Sequence, residues 1–159
     1  MTDPAATLGD GAYIQRCYAL AEQAAGAGNH PFGAVLVCGG EIRAEAVNEV
    51  VTGADVTRHA ERLLVGRAWG RLGEDELAGA VLYASTEPCV MCAGSIHYAG
   101  IPRVVFGVSG RVMAAATGRP YTGIPLRDLV ARAGWGIEVV GPVMEDDGRR
   151  LHAELWPRH

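Results

Sequence analysis

The chain has 159 residues, 49% of them hydrophobic and 20% charged, with a net charge of −4. That is the size and balance of one soluble domain, able to bury roughly two-thirds of its unfolded surface without disulfide staples. All 14 basic residues are arginine and they form no stripe, so a nucleic-acid partner is not expected, and no apolar run approaches the roughly 20 residues of a membrane span.

In chain order, residues 1–9 are expected to be loose. Asp10 can cap a helix over Gly11–Ala27, whose apolar face is Tyr13, Cys17, Leu20 and Ala24. Ala34–Cys38 and Glu41–Val47 read as strands of a hairpin turned at Gly39-Gly40, and Asn48 ends the second. A turn-rich loop leads to a helix over Arg58–Gly70, with Leu63, Leu64, Val65 and Trp69 as its buried stripe. Glu74-Asp75-Glu76 reads as a solvated charge run. Gly79–Ala84 is an apolar strand, and the helix that follows opens near Pro88, where a missing N–H costs nothing. Arg103–Val108 is another strand. Ser109–Pro125 fits no pattern, Leu126–Arg132 is a short helix stopped by Gly134, Ile137–Val140 a last strand, and Met144–Leu155 a terminal helix ending at Trp156. A hairpin followed by strand–helix–strand crossings implies a mixed sheet with helices on both faces. One domain over 1–159 is expected.

The chemistry concentrates in two segments, His59-Ala60-Glu61 and Pro88-Cys89-Val90-Met91-Cys92. Two cysteines at the opening of a helix are favoured as thiolates by the helix dipole. With one histidine they supply three ligands to a zinc ion and leave a fourth tetrahedral position for water. Zinc lowers the pKa of that water to about 7, and a nearby carboxylate that is not a ligand, Glu61, can shuttle its protons. A redox pair would need a thioredoxin-like context, and a closed structural site would need further compactly spaced ligands. Cys17 and Cys38 read as small buried hydrophobes. The start, Met1-Thr2-Asp3-Pro4-Ala5-Ala6, shows no basic segment followed by an apolar one, and a cytoplasmic, reducing location is expected.

His-x-Glu with Pro-Cys-x-x-Cys is the pattern of nucleobase zinc deaminases. Together with Pro31-Phe32-Gly33-Ala34-Val35 and Thr86-Glu87-Pro88-Cys89-Val90-Met91-Cys92-Ala93-Gly94, it makes the chain resemble the cytidine deaminase-like superfamily. The likeness is greatest to its nucleobase and tRNA-adenosine deaminase branch. The resemblance implies a three-layer α/β/α fold with a five-stranded mixed sheet. It implies one zinc per subunit on His59, Cys89 and Cys92, with Glu61 as the acid/base and a homodimer as the assembly. It also implies substrate contacts at Asn48, Phe32, Ala60 and the segment from Ser85 to Glu87. Trp156, a bulky aromatic at the end of the last helix, is a further candidate contact, either as a lid over the pocket or packed on the core.

Two departures bear on the substrate. Bacterial guanine deaminases of this kind tend to carry an acidic segment after the fourth strand, where this chain reads Thr117-Gly118-Arg119-Pro120-Tyr121. Bacterial tRNA adenosine deaminases tend to carry an Asp near Val108-Ser109-Gly110-Arg111 and a basic terminal helix, whereas this one opens Glu145-Asp146-Asp147. The expected function is therefore zinc-dependent hydrolytic deamination of a small aminated heterocycle, guanine first, with cytosine or an amino-s-triazine next. Deamination of a nucleoside (guanosine or cytidine) or of tRNA wobble adenosine is the alternative. A non-catalytic zinc module is the remaining reading, and it leaves Glu61 without a purpose.

Overall fold

The computed structural model describes residues 2–157. These form a three-layer α/β/α sandwich around one five-stranded mixed sheet, in the order β2-β1-β3-β4-β5. The strands are β1 Gly33–Cys38, β2 Glu41–Val47, β3 Val81–Thr86, β4 Arg103–Val108 and β5 Glu138–Val140. β1 runs antiparallel to both β2 and β3, while β3, β4 and β5 are mutually parallel. Burial follows position. β1, β3 and β4 are apolar and almost wholly buried, as central strands covered on both faces must be. β2 is the largely exposed edge.

Seven helices cover the sheet: α1 Leu8–Gly26, α2 Ala60–Trp69, α3 Glu74–Ala78, α4 Val90–Tyr98, α5 Gly110–Ala116, α6 Leu126–Ala133 and α7 Glu145–Leu155. The pleat sorts alternate strand residues into two cores. Ala34, Leu36, Leu82 and Ala84 pack with Leu64 of α2 and Ile96 of α4 on one face. Val35, Val37, Tyr83 and Val105 pack with Ile14 and Cys17 of α1 and Leu151 of α7 on the other. Gly33 is where α1 presses on the sheet. A Cβ there would lie 2.5 Å from Leu20 Cβ and 2.7 Å from the Cys17 carbonyl oxygen.

Several expectations change at element ends. α1 starts at Leu8, a turn before Gly11, because Thr7 is its cap and the Asp10 carboxylate accepts from the Thr7 N–H at 2.7 Å. Asp10 is also fully buried, bonded to Arg103 at 3.0 Å and to the Tyr83 hydroxyl at 2.7 Å. Residues 2–9 are not loose. The Asp3 N–H donates to the Pro142 carbonyl at 2.7 Å, and the Asp3 carboxylate accepts from Gly141 N–H and Arg127. Met1 lies outside the described residues. Trp69 is exposed, and the α2 stripe is carried by Leu64, Val65 and Ala68. The acidic run 74–76 opens a short helix, with Glu76 paired to Arg43 at 2.7 Å. Ser109–Pro125 contains α5, capped where the Ser109 hydroxyl accepts from Val112 N–H. Among the described residues no helix is long and apolar enough to cross a membrane.

Candidate active site

The sheet directions bring three distant segments to one edge. β3 ends at Thr86 where β1 begins, because Ala34 pairs with Ala84. β2 ends there too, because Val47 pairs with Gly33. Phe32, Asn48 and Thr86–Glu87 therefore share one end of the sheet, and the N-termini of α2 and α4 converge on it.

His59 is the N-cap of α2, extended at φ −70° and ψ 149°, and Cys89 is the extended N-cap of α4. This resolves the i,i+2 spacing of His59 and Glu61, which no regular helix places on one face. Pro88 precedes the cap instead of opening the helix, and Cys92 lies in its first turn. His59 Nδ1 stands 3.5 Å from Cys89 Sγ and 3.6 Å from Cys92 Sγ, and all three ligand atoms lie within 4.8 Å of one another. A tetrahedral ion with bonds of about 2.1 Å to nitrogen and about 2.3 Å to sulfur sets those atoms about 3.6 Å apart. The donor set and its spacing therefore fit zinc. Paired to Cys92 and His59, the Cys89 thiol is held down to about 4. Cys92 is pushed far up beside it. The pair thus favours one thiolate, and a cation is what both need.

Glu61 is buried in the first turn of α2, with Oε2 3.8 Å from Cys92 Sγ. Burial raises its carboxyl to about 7, and the Cys89 charge adds to this. It faces a cavity of 140 Å³ lined by Phe32, Asn48, His59, Thr86, Glu87, Cys89 and Met113. Asn48 is buried; its Oδ1 accepts from Val50 N–H at 3.1 Å and its own N–H donates to the Phe32 carbonyl. The Oδ1 bond fixes the amide at the cavity wall.

The other expected contact residues have distinct places. Ala60 is wholly buried at the start of α2. The Ser85 hydroxyl points away from the cavity and accepts from Gly33 N–H at 3.1 Å. Glu87 lines the cavity, but both its oxygens accept backbone N–H groups, from Gly110 at 2.9 Å and Leu126 at 2.7 Å. Trp156 stands behind Phe32, edge-on at 5.8 Å, stacked on His30 at 5.2 Å. Thr86 lines the cavity, as expected for the Ser85–Glu87 segment, whereas sequence reading missed Met113 and His152. His152 is fully buried, bonded through Nε2 to the Thr86 hydroxyl at 2.7 Å and packed on Phe32. Its i,i+4 relation to Trp156 was the available signal, whereas Met113 comes from the segment without a pattern. A further cavity of 660 Å³ is an open groove between α1 and α7, and among the described residues it carries no metal-ligand set.

The family described as the cytidine and deoxycytidylate deaminase zinc-binding region matches residues 9–108. A probable cytosine deaminase of Schizosaccharomyces pombe is 36% identical over 92% of each chain. The guanine deaminase of Bacillus subtilis is 41% identical over 67% of this chain and 68% of its own. The tRNA-specific adenosine deaminase of the same bacterium is 42% identical over 62% of this chain and 61% of its own. Among solved structures, a guanine deaminase from Nitrosomonas europaea superposes with a TM-score of 0.79 at 24% identity, over 98% of this chain and 87% of that one. At that identity the likeness is one of fold.

Proposed function

The chain belongs to the cytidine and deoxycytidylate deaminase zinc-binding family and is a hydrolytic deaminase, and from that premise we propose that it deaminates a small free nucleobase-like heterocycle. Guanine is the first candidate, with cytosine and an amino-s-triazine next. The observation that carries this reading is the enclosure of Glu61 and the His59, Cys89 and Cys92 set around a 140 Å³ cavity. A cavity of about that size, roughly 150 Å³, holds a benzene ring.

In this reading His59, Cys89 and Cys92 hold zinc, which when bound makes water acidic enough to yield hydroxide near pH 7. Glu61 takes the proton of the attacking water and passes it to the ring nitrogen beside the amino-bearing carbon. It then delivers a proton to the departing amine. The water oxygen becomes the new carbonyl oxygen, and the amino group leaves as ammonia. The Asn48 amide donates to the ring edge, and Phe32 and Met113 close over its faces, excluding bulk water. Glu87 serves the site through the backbone it holds, and Trp156 braces Phe32 from behind. A homodimer and a cytoplasmic location belong to the same reading, and light scattering checks the former.

The test is ammonia release by the zinc-loaded protein from guanine, cytosine, adenine, ammeline, guanosine and cytidine at neutral pH. Release from a free base supports the reading, and silence across the free bases sinks it. The similarity to a tRNA-specific adenosine deaminase favours a second reading, wobble-adenosine editing. It requires tRNA retention that weakens steeply with salt as phosphate contacts are lost, and a chain of net charge −4 that shows no retention at low salt excludes it.

A further inference from the structure

The end of β3 meets the terminal helix through one side-chain pair. Thr86, the last residue of β3, lines the cavity that also holds Glu61. Its hydroxyl oxygen lies 2.7 Å from Nε2 of His152 in α7. The His152 ring is fully buried and flanked by Phe32 at 5.3 Å and Trp156 at 6.3 Å. Among the described residues no hydrogen bond reaches its Nδ1, and the Thr86 hydroxyl has no second partner. The reaction derived above leaves this pair without a task.

Burial pushes the His152 pKa down to about 4, so the ring is neutral near pH 7. One ring nitrogen then carries a proton and the other is an acceptor. The two tautomers strand different groups at Nδ1. If Thr86 donated to Nε2, the proton would sit on Nδ1 as a buried N–H with no acceptor. If Nε2–H donates to Thr86, only a lone pair is left bare. As with backbone groups, an orphaned buried N–H is the rarer of the two and an under-satisfied acceptor the better tolerated. In the second arrangement the hydroxyl keeps its own hydrogen, because it has one donor and two acceptor sites. Glu87 already accepts from two backbone N–H groups and Asn48 Oδ1 from a third. The hydroxyl hydrogen is left for an acceptor that enters the cavity.

We propose that His152 and Thr86 form one specificity-determining unit, in which His152 donates to the Thr86 hydroxyl and the hydroxyl donates to an acceptor atom of the bound heterocycle, a ring carbonyl oxygen or an unprotonated ring nitrogen. The inference rests on the deaminase reading above and adds a contact in the same cavity. Thr86 touches the substrate, and His152 is the positioning residue behind it. A fixed buried donor discriminates by more than its own bond, because a ligand lacking the matching acceptor strands the hydroxyl.

Two measurements test this. The first needs no substrate. Two-bond 1H–15N correlation spectra of the zinc-loaded protein at pH 7 are expected to show His152 neutral with its proton on Nε2, and a proton on Nδ1 overturns the proposal. The second follows kcat and KM for ammonia release from guanine and from cytosine, with calorimetric binding of each to the zinc-loaded Glu61→Gln variant. Thr86→Val keeps the shape and removes the hydroxyl. It is expected to raise KM and Kd of the better substrate about five- to tenfold, as loss of one neutral hydrogen bond does, with kcat and zinc content little changed. His152→Phe keeps a ring against Phe32 but no donor, and should do the same. The double variant should be no worse than either single, as for residues acting as one unit. His152→Gln, which returns an amide donor, should stay within about twofold of the wild type. Unchanged KM and Kd in Thr86→Val overturn the substrate contact, whatever the melting temperature does. Single effects that multiply in the double variant overturn the pairing, as does His152→Gln being as impaired as His152→Phe. Neither base bound nor turned over by the wild type overturns the free-base reading, and the position of the His152 proton then decides the pair alone.

Discussion

Glu61 and His152 are buried titratable groups with opposite tasks. In the proposed reaction Glu61 carries the protons, and its removal tests that chemistry directly. Glu61→Gln is expected to lower kcat by roughly 10²- to 10⁴-fold, the usual contribution of a positioned acid/base. Metal analysis should still find zinc bound, because the ligand set is untouched. His152 holds the Thr86 hydroxyl at the cavity wall, and its Nδ1 has no hydrogen-bond partner among the described residues. Burial pushes its pKa down to about 4 from an ordinary 6.5. A group with a depressed folded value contributes fully above its unfolded pKa, and that contribution is lost as pH falls from 6.5 to 4. The loss is on the order of 3 kcal/mol by linkage. Denaturant titrations across this window should show His152→Gln, which keeps a polar contact for Thr86, losing less stability than the wild type. Equal slopes would mean that His152 is protonated in the native protein.

At the scale of elements, the close seat of α1 on the sheet depends on Gly33. Its would-be Cβ neighbours at 2.5 and 2.7 Å include backbone, which cannot rotate away. Gly33→Ala is therefore expected to cost about 3 kcal/mol, the upper part of the range for overpacking, as a lower urea midpoint at unchanged slope. It should also disturb the site, since Gly33 follows Phe32 and donates its N–H to the Ser85 hydroxyl. The helix ends show how much one residue of capping matters. Asp10 looks from the sequence like a cap, yet Thr7 takes that position and Asp10 sits within the helix. Burial alone would raise the Asp10 carboxyl, but Arg103 and Tyr83 outweigh it and hold it near 2. What sequence pattern cannot reveal is the partner, since Arg103 lies on β4, 93 residues away.

For the molecule as a whole, the metal set joins two helices that the chain separates widely. His59 opens α2, Cys89 and Cys92 open α4, and the two helices pack on one face of the sheet. Zinc that binds only the folded arrangement stabilises it by mass action, about 4 kcal/mol at 1,000 times the dissociation constant. For a chain of this size that corresponds to a melting temperature higher by on the order of 10 °C. Calorimetry with and without a chelator checks this, and an unchanged transition would mean that the α2–α4 junction is organised without metal.

The sequence alone determined the order of the strands and of the helices other than α3 and α5, the His59, Cys89 and Cys92 set, and Glu61 beside it. Those depend on periodicity and on ligand spacing within short segments, which local sequence carries. The tertiary structure decided what surrounds them. Antiparallel pairing of β1 with β2 and β3 is what brings Phe32 and Asn48 to the end of β3. The segment from α5 to the start of α6 is held at both ends by Glu87, which lies far upstream. Neither Ser109–Pro125 nor the link from His152 to Thr86 has a local pattern, because each is fixed by contacts between residues distant in the chain, and those contacts exist only once the sheet has set which ends meet.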